Sequence, residues 1–415
     1  MSAPATADAT SASSAASPPS APTIAGAGIR ITDITIEQLS LPLDPPVHAN
    51  WDPTPRTRFP ATVVRLGTDA GITGVGGGDT LAGIEPHLHH LLGTDPLAIE
   101  RQVRVLETID LHGPRPWPLE AALWDVIGQV SGRTVATLMG GMTDRLAAYA
   151  STGAAKSAAD HAEVARHVRD RGFRAIKLRV AARDRATAIA EVAAVREAVG
   201  DALEIMVDLN PAWRMAGDTA DPIDLAEARR FADALAELDV YWLEEPLLDR
   251  DLAGLAQLRA DARVRIAGGE MTRTVDQVFA ALDADAFDVH QPDVVLAGGL
   301  WRGRTIGELA IRRGRRYSPH TWTDGLGLLA NLHVAAGVGG GPFLEFPYDP
   351  HGWTPDRRDF PLVTPIDIDA AGDLIVPGAP GLGIELDEDA VARTRVGGVH
   401  AHLDGDAVTM QELDR

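Results

Sequence analysis

The chain has 415 residues, 45% hydrophobic and 23% charged, enough for about two or three domains with a large buried core. Asp and Glu number 59 against 38 Lys and Arg, and the net charge of −21 opposes binding to nucleic acid or anionic lipid. The absence of cysteine excludes disulfides, thiolate zinc sites and thiol nucleophiles. No apolar run is long enough to span a membrane, and no basic segment typical of a signal peptide precedes Arg30. A cytoplasmic protein without nucleic-acid or membrane partners is therefore expected.

Composition divides the chain into four segments. Residues 1–28 are almost entirely Ala, Ser, Pro and Thr, a composition typical of a disordered tail. Residues 29–143 begin with alternating and β-branched stretches and continue with helical spacing of apolar residues over Pro118–Val130, which predicts an α+β domain. Residues 144–360 are expected to form the largest domain. Residues 361–415 resume short strands and turns, and we expect this segment to pack back on the first domain.

Strands and helices alternate regularly between residues 144 and 360. Each repeat has a short apolar strand, a turn rich in carboxylates and an amphipathic helix, which is the pattern of parallel strands joined by helices. The predicted strands are Leu146–Ala150, Ala175–Val180, Glu204–Asp208, Val240–Glu244, Val264–Gly268, Phe287–His290, Arg316–Pro319 and Phe343–Phe346. Eight such repeats indicate a closed (β/α)8 barrel. An open doubly wound sheet is the alternative, but the glycine fingerprint expected after its first strand is absent.

Acidic residues stand at the ends of three successive predicted strands, as Asp208, Glu244 and Glu270. In a barrel these strand ends converge on one mouth, where three carboxylates repel one another unless a cation lies between them. A site made of oxygen ligands alone suits Mg²⁺. Each acid could instead cap the helix that follows it. Three acids at matching strand ends favour a metal site.

Cationic residues and a histidine occupy other strand ends. Lys177 and Arg179 alternate by two, so they project to one face of their strand, toward the barrel interior. Lys177 is one of only two lysines in the chain. Both cations suit an anionic substrate, and ion pairs with the neighbouring acids are the alternative. His320 and Asp293, at adjacent strand ends, are predicted to form a pair in which the carboxylate sets the tautomer and basicity of the imidazole.

Two further patterns favour structural interpretations. His87, His89 and His90 are close in sequence but have no carboxylate beside them in the pattern, so surface histidines are predicted rather than a metal cluster. The run Gly74–Gly78 lacks the lysine and the strand-to-helix context of a phosphate-binding loop, so a tight turn is predicted there.

These motifs together resemble the mandelate racemase branch of the enolase superfamily, within its mandelate racemase and muconate lactonizing enzyme-like family. The resemblance covers the chain from about Ile29 to Gly383. Asp208 matches the family's Asp-x-Asn ligand, Glu244 the first Glu of its Glu-Glu-Pro motif, and Glu270 the Glu after Gly-Gly. The resemblance implies a modified barrel with an N-terminal α+β capping domain that the C-terminal segment completes. It also implies one Mg²⁺ per subunit and a homo-oligomer.

The resemblance assigns catalytic roles to five residues. His320 and Asp293 match the family's His-Asp dyad, and Glu345 matches the strand-eight Glu that hydrogen-bonds the developing enolate. Lys177 matches the first lysine of a Lys-x-Lys motif whose second position is Arg179 here. In racemases of the family that second lysine is a base on the opposite face of the substrate carbon. Arginine stays protonated near neutral pH, so a two-base racemase is disfavoured.

The function expected from this resemblance is the dehydration of a sugar acid, an aldonate or an aldarate. The proton α to the carboxylate would be removed by His320, or by Lys177, and the enediolate would yield a 2-keto-3-deoxy acid. A racemase, an epimerase or a lactone cycloisomerase uses the same enediolate and stays open, as does a non-catalytic acid-binding barrel. A metallohydrolase is disfavoured, because such a site usually needs several strand-end histidines as ligands and only His320 is available here. Substrate contacts are expected from Asn210, Trp322 and His351, and from loops of the segment Leu43–Phe59.

Overall fold

A computed structural model describes residues 28–78, 80–350 and 352–414. Nearly all of the predicted N-terminal tail therefore lies outside the described residues. Among the residues that the structure describes, no helix is both long enough and apolar enough to cross a membrane.

The first part of the described chain builds an antiparallel sheet with helices on one side. Its elements, in order, are β1 (Ile31–Val47), β2 (Arg56–Thr68), β3 (Thr73–Gly78), a 3₁₀ turn (Glu85–His90), α1 (Ile99–His112), α2 (Trp117–Ser131) and α3 (Val135–Leu138). Helix α2 matches the helix predicted from apolar spacing, and it ends at Gly132, whose φ of 66° places it in the left-handed region that glycine adopts freely.

The prediction of a tight turn at Gly74–Gly78 was wrong, because these glycines form strand β3 beside β2. The physical reason is the close approach of helix α2. A Cβ on Gly74 would lie 2.2 Å from the carbonyl oxygen of Ala122, and one on Gly76 would lie 2.4 Å from that of Pro118. Glycine here lets a helix pack directly on a strand, a use that local turn patterns do not reveal.

Eight parallel strands with intervening helices make up the second part of the chain. Its elements are β4 (Arg145–Ser151), α4 (Ala158–Asp170), β5 (Ala175–Arg179), α5 (Arg185–Val199), a 3₁₀ turn (Gly200–Ala202), β6 (Glu204–Asp208), α6 (Leu225–Ala236), β7 (Val240–Glu244), α7 (Leu252–Asp261), β8 (Arg265–Gly268), α8 (Val275–Asp283), β9 (Val289–His290), α9 (Gly299–Arg312), β10 (Arg316–Tyr317), α10 (Gly325–Val338), β11 (Phe343–Pro347) and α11 (Pro355–Arg358). In space the strands run β11, β4, β5, β6, β7, β8, β9 and β10.

The parallel sheet curls so that its two end strands meet. The Gly341 amide donates to the Tyr317 carbonyl at 2.8 Å, and the Ser318 hydroxyl donates to the Phe343 carbonyl at 2.8 Å. The predicted modified (β/α)8 barrel is therefore confirmed. Strands β9 and β10 have two residues each and are shorter than predicted. Just after β10, Pro319 has no N–H to donate to a ladder.

The segment after residue 360 contacts both parts of the protein. It contains β12 (Asp373–Ile375), α12 (Glu388–Thr394), β13 (Arg395–Asp404) and β14 (Ala407–Leu413). Strand β12 pairs with β4 of the barrel, whereas β13 pairs with β1, so that the N-terminal sheet has the order β14-β13-β1-β2-β3. The boundaries of the four segments stay a prediction.

Candidate active site

Three carboxylates meet at the mouth of the barrel. Asp208 ends β6 and Glu244 ends β7, and the two are paired in register across the parallel ladder. Glu270 follows β8 after Gly269, whose φ of 100° turns the chain back toward the mouth. All three are buried, and each offers an oxygen that lies within 4.8 Å of the other two. Parallel strands thus bring together acids that are 26 or more residues apart in sequence.

The chemistry of this carboxylate triad fits a divalent metal ion. The Glu270 Oε2 atom is buried and has no hydrogen-bond partner among the described residues, a costly state unless a cation contacts it. Three carboxylate oxygens are ligands that Mg²⁺ prefers, and such a site leaves positions for a substrate. Asp208, Glu244 and Glu270 would therefore hold the ion.

Two uncharged hydrogen-bond donors contact Glu244 Oε2, and another contacts Glu270. The Trp242 Nε1 and Gln291 Nε2 atoms each donate to Glu244 Oε2 at 2.9 Å. The Trp213 Nε1 atom donates to Glu270 Oε1 at 2.9 Å. Burial raises the pKa of Glu244 to about 7, although the charge of Lys177 opposes this shift. Sequence reasoning gave no role to these three donors. For Trp242 a signal existed, because it precedes Glu244 by two residues on β7 and so shares its face.

Lys177 and Arg179 project into the barrel from β5 and contact the triad. The Lys177 Nζ atom lies 2.5 Å from Glu244 Oε1, 2.8 Å from Glu345 Oε1 and 3.4 Å from Asp208 Oδ2. Arg179 forms an ion pair with Asp208 through its Nη1 atom. Burial disfavours both positive charges, but the surrounding carboxylates outweigh it, so the pKa values of Lys177 and Arg179 lie above their ordinary values. In this arrangement both groups stay protonated at neutral pH.

His320 and Asp293 form a hydrogen-bonded pair beside the triad. The His320 Nδ1 atom lies 2.9 Å from Asp293 Oδ2, and the His320 Nε2 atom lies 3.9 Å from Glu270 Oε2. The other Asp293 oxygen accepts from Asn331 Nδ2 at 2.7 Å and from the Val295 amide at 3.0 Å. A neutral His320 that donates from Nδ1 to Asp293 therefore presents a lone pair on Nε2 to the triad. Asn331 was not identified from the sequence.

The electrostatic surroundings make His320 more basic than a free histidine. Burial alone would lower its pKa, but the charges of Glu270 and Glu345 and the contact with Asp293 outweigh burial and raise the pKa to about 9. This value applies without a metal ion, since a cation bound to Glu270 would cancel part of the negative charge that His320 faces.

Glu345 accepts hydrogen bonds on both of its carboxylate oxygens. Ser151 donates to Oε1 at 2.8 Å, and the Thr321 amide donates to Oε2 at 2.7 Å. Burial would raise the pKa of Glu345, but the charges of Lys177 and His320 outweigh it and lower the pKa to about 2. The role implied by the resemblance, a hydrogen bond from Glu345 to an enolate, needs a proton on this group. In the arrangement described here, Glu345 is an acceptor that orients Lys177.

Two of the three residues expected to contact substrate can be located. The Trp322 Nε1 atom donates to Ser151 Oγ at 2.8 Å, next to Glu345, and the Trp322 ring packs edge-on against Trp51 at 5.1 Å between centroids. Trp51 also covers the Arg179 guanidinium at 4.7 Å, and it belongs to the segment Leu43–Phe59. His351 lies outside the described residues.

Asn210 follows β6 in the left-handed conformation, with a φ of 55°. Its Nδ2 atom lies 3.4 Å from Glu245 Oε2, and its buried Oδ1 atom has no hydrogen-bond partner among the described residues. Asn210 lines a cavity of about 110 Å³ together with Asn50 and Trp51 of the N-terminal part and Trp213 of the barrel. Asn210 is thus placed where the two parts of the protein meet.

Comparison with known proteins identifies the family. Residues 159–390 match the family described as enolase C-terminal domain-like. The chain is 31% identical to D-galactarolactone cycloisomerase of Agrobacterium fabrum, over 74% of this chain and 82% of the relative. It is 30% identical to L-talarate/galactarate dehydratase of Salmonella typhimurium, over 78% of this chain and 83% of that protein.

A solved structure gives the same result. The crystal structure of L-talarate dehydratase from Polaromonas sp. JS666, complexed with Mg and L-glucarate, superposes with a TM-score of 0.75. The two chains are 25% identical, and the match covers 91% of this chain and 100% of the other. The chain therefore belongs to the enolase superfamily, in its mandelate racemase and muconate lactonizing enzyme-like family.

Proposed function

We propose that this protein is a magnesium-dependent dehydratase of a sugar acid, an aldonate or an aldarate, that forms a 2-keto-3-deoxy acid. The observation that carries the proposal is the geometry of one histidine, His320, whose Nε2 atom faces the carboxylate triad while Lys177 and Arg179 are held as cations. The dehydratases of Salmonella and Polaromonas support this reaction type. The predictions of a cytoplasmic location and a homo-oligomer stay predictions.

The first chemical step is removal of the proton α to the substrate carboxylate. Mg²⁺ held by Asp208, Glu244 and Glu270 would supply stabilisation for the negative charge that develops on the carboxylate oxygens. Lys177 and Arg179 would hold the carboxylate and share in that stabilisation, because both stay positively charged. His320 would accept the proton on Nε2, and Asp293 would stabilise the imidazolium through Nδ1.

The second step expels the hydroxyl group from the carbon next to the α-carbon. The electron pair released from the α C–H bond forms the new double bond as the C–O bond breaks, and the hydroxyl leaves as water. His320 can deliver the proton that this hydroxyl needs when both groups lie on the same face of the substrate. The enol then tautomerises to the 2-keto-3-deoxy acid, so the reaction consumes no further reactant.

A lactone cycloisomerase is the second candidate, favoured by the 31% identity to the Agrobacterium cycloisomerase. It would use the same histidine and the same triad. A two-base racemase or epimerase is less well supported, because Arg179 replaces the second base and its ion pair with Asp208 raises its pKa further. In either case the partner is a small-molecule carboxylate.

The proposal is tested by incubating the purified protein and MgCl₂ with a set of aldonic and aldaric acids and measuring keto-acid formation with semicarbazide. We expect product from at least one acid, and no product with Glu244→Gln or His320→Asn. Product that persists in either variant, or conversion of a lactone set without any keto-deoxy acid, would contradict dehydration at this site.

A further inference from the structure

A second group of arginine and histidine side chains lies outside the barrel, between the 3₁₀ turn Glu85–His90 and helix α1. Arg101, Arg104 and His112 follow one another along α1 at intervals of three and eight residues, so they share one face of the helix. His87 and His90 of the turn border the same groove. We call this groove the α1 cleft. It belongs to the N-terminal part of the protein, and no residue of the carboxylate triad lines it.

One cation of the α1 cleft, Arg101, has no carboxylate partner among the described residues. The guanidinium of Arg101 contacts only the amide oxygen of Gln102, at 3.3 Å, and no carboxylate of the described residues lies within ion-pair distance of it. Partial burial lowers the pKa of His90, and the neighbouring charges of His89, His87 and Arg101 lower it further. The lowered pKa leaves the His90 ring neutral near pH 7, so the positive charge at this end of the cleft is that of Arg101, in a protein whose net charge is −21.

One carboxylate, Glu100, also borders the cleft, but its charge is already matched. It accepts from Arg302 Nη1 at 3.0 Å, from Arg104 Nε at 3.0 Å and from Trp301 Nε1 at 3.0 Å. These contacts, the one with Arg302 foremost, lower the pKa of Glu100 to about 2. Arg101 has no such partner among the described residues.

The size and the lining of the cleft select a type of ligand. Its volume is about 720 Å³, within the range of sites for small molecules. Val105 and the buried Ile109 provide an apolar surface between the cationic rims. A metal ion does not fit, since the guanidinium groups repel it and the only metal-binding group of side chains found in the described residues is the carboxylate triad. We propose that the α1 cleft binds a small organic anion, a carboxylate or phosphate ester that carries an apolar group.

Isothermal titration calorimetry with phenyl phosphate tests this proposal on the full chain without metal. The probe joins an anion to an apolar ring. We expect one binding event per chain, with a dissociation constant that rises at least about tenfold in Arg101→Gln/Arg104→Gln, because two charge-assisted contacts are removed. The matched control is Arg229→Gln/Arg263→Gln, which removes the same charge from exposed ion pairs on the barrel and should change the constant less than about twofold.

Two more titrations separate the contribution of the phenyl ring to binding from that of the phosphate charge. Val105→Thr keeps the side-chain shape but adds a hydroxyl, and it should weaken phenyl phosphate more than inorganic phosphate. The thermal unfolding midpoint of each variant, equal to that of the parent, shows that the fold is intact. The proposal is overturned if the parent shows no heat of binding, or if Arg101→Gln/Arg104→Gln binds phenyl phosphate as tightly as the control variant does. It is also overturned if the parent does not bind the probe and the substitutions at Arg101 and Arg104 change only the oligomeric state.

Discussion

Arg179 and Asp208 form an ion pair inside the barrel, and neither side chain is more than 2% exposed. Asp208 is also a proposed metal ligand, so the arginine and a metal ion would contact the same carboxylate. Arginine stays protonated near neutral pH, and this pair raises the pKa of Arg179 further, so His320 is the candidate base beside the triad.

Breaking this buried pair should cost far more stability than breaking an exposed one. In the metal-free protein, Arg179→Met leaves the buried Asp208 charge without its main partner, and we expect the free energy of unfolding to fall by about 3–5 kcal/mol. Urea denaturation measures this change. Arg229→Met, which breaks the exposed pair with Asp261, should cost less than about 1 kcal/mol. Similar losses of unfolding free energy in the two variants would show that Arg179 has no structural role at Asp208.

Magnesium should stabilise the protein through the triad. We expect MgCl₂ at about 100 times the dissociation constant to add about 2.7 kcal/mol to the free energy of unfolding, seen as a rise in the thermal midpoint. Glu270→Gln should abolish this rise because it removes a charged ligand. Glu245→Gln is the matched control, since Glu245 is equally buried beside the triad but is not a member of it. If the rise were lost in Glu245→Gln but kept in Glu270→Gln, the metal ligand would be Glu245 and not Glu270.

Lys156 and Asp349 connect the loops that follow β4 and β11. The Lys156 Nζ atom lies 2.6 Å from Asp349 Oδ2, which also accepts the amides of Gly153 and Ala154 at 3.0 and 2.8 Å. Gly153 in turn accepts the Asn50 amide at 2.8 Å, one residue before Trp51.

Loss of the Lys156 charge should therefore loosen the contact between the two parts of the protein. In Lys156→Met we expect the amides near Asn50 and Gly153 to exchange with deuterium at least about tenfold faster, by local opening. Lys156→Arg keeps the charge and should restore most of the protection. Unchanged exchange in Lys156→Met, measured by mass spectrometry, would mean that the backbone contacts of Asp349 suffice.

His333 should make the protein less stable in acid. Its Nδ1 atom accepts the Ala136 amide at 3.0 Å and its Nε2 atom lies 3.0 Å from the Leu382 carbonyl, so the neutral ring satisfies both contacts. Burial lowers its pKa from 6.5 to about 4. His333 therefore takes up a proton near pH 6.5 in the unfolded chain but only near pH 4 in the folded chain. Its contribution to the free energy of unfolding is complete above about pH 6.5 and is lost as the pH falls from there to about pH 4.

This contribution of His333 can be isolated by comparing two proteins. Between pH 7.5 and 4.5 the parent should lose up to about 3 kcal/mol more than His333→Gln, whose side chain cannot take up the proton. Other groups titrate in both proteins and cancel in the difference. If the urea midpoints of the parent and of His333→Gln fell in parallel across that pH range, the loss of stability in acid would not come from His333.

The barrel and the ionisable residues at its mouth were predictable because both depend on short-range patterns. Alternation of strand and helix identifies the repeats, and the strand ends then place Asp208, Glu244 and Glu270 at one mouth. The spacing of Lys177 and Arg179 likewise predicts one shared face, and both side chains do project into the barrel.

Contacts between distant segments were not predictable in the same way. Strand β3 looked like a turn because its glycines serve the approach of α2, about 50 residues away in sequence. Trp51 reaches Arg179 from the N-terminal part, and Asn331 reaches Asp293 from α10. Neither contact leaves a periodic signal in the chain, since each depends on how separate elements pack.

We propose above that His320 removes the α-proton of a sugar acid bound at the carboxylate triad. Proton NMR in deuterated water measures this directly, with MgCl₂ and a set of aldonic and aldaric acids. We expect a 2-keto-3-deoxy acid labelled with deuterium at the new methylene in the parent, and neither product nor loss of the α-proton signal in His320→Asn. Loss of the α-proton signal that persists in His320→Asn, or its absence with every acid and lactone in the parent, would contradict the claim.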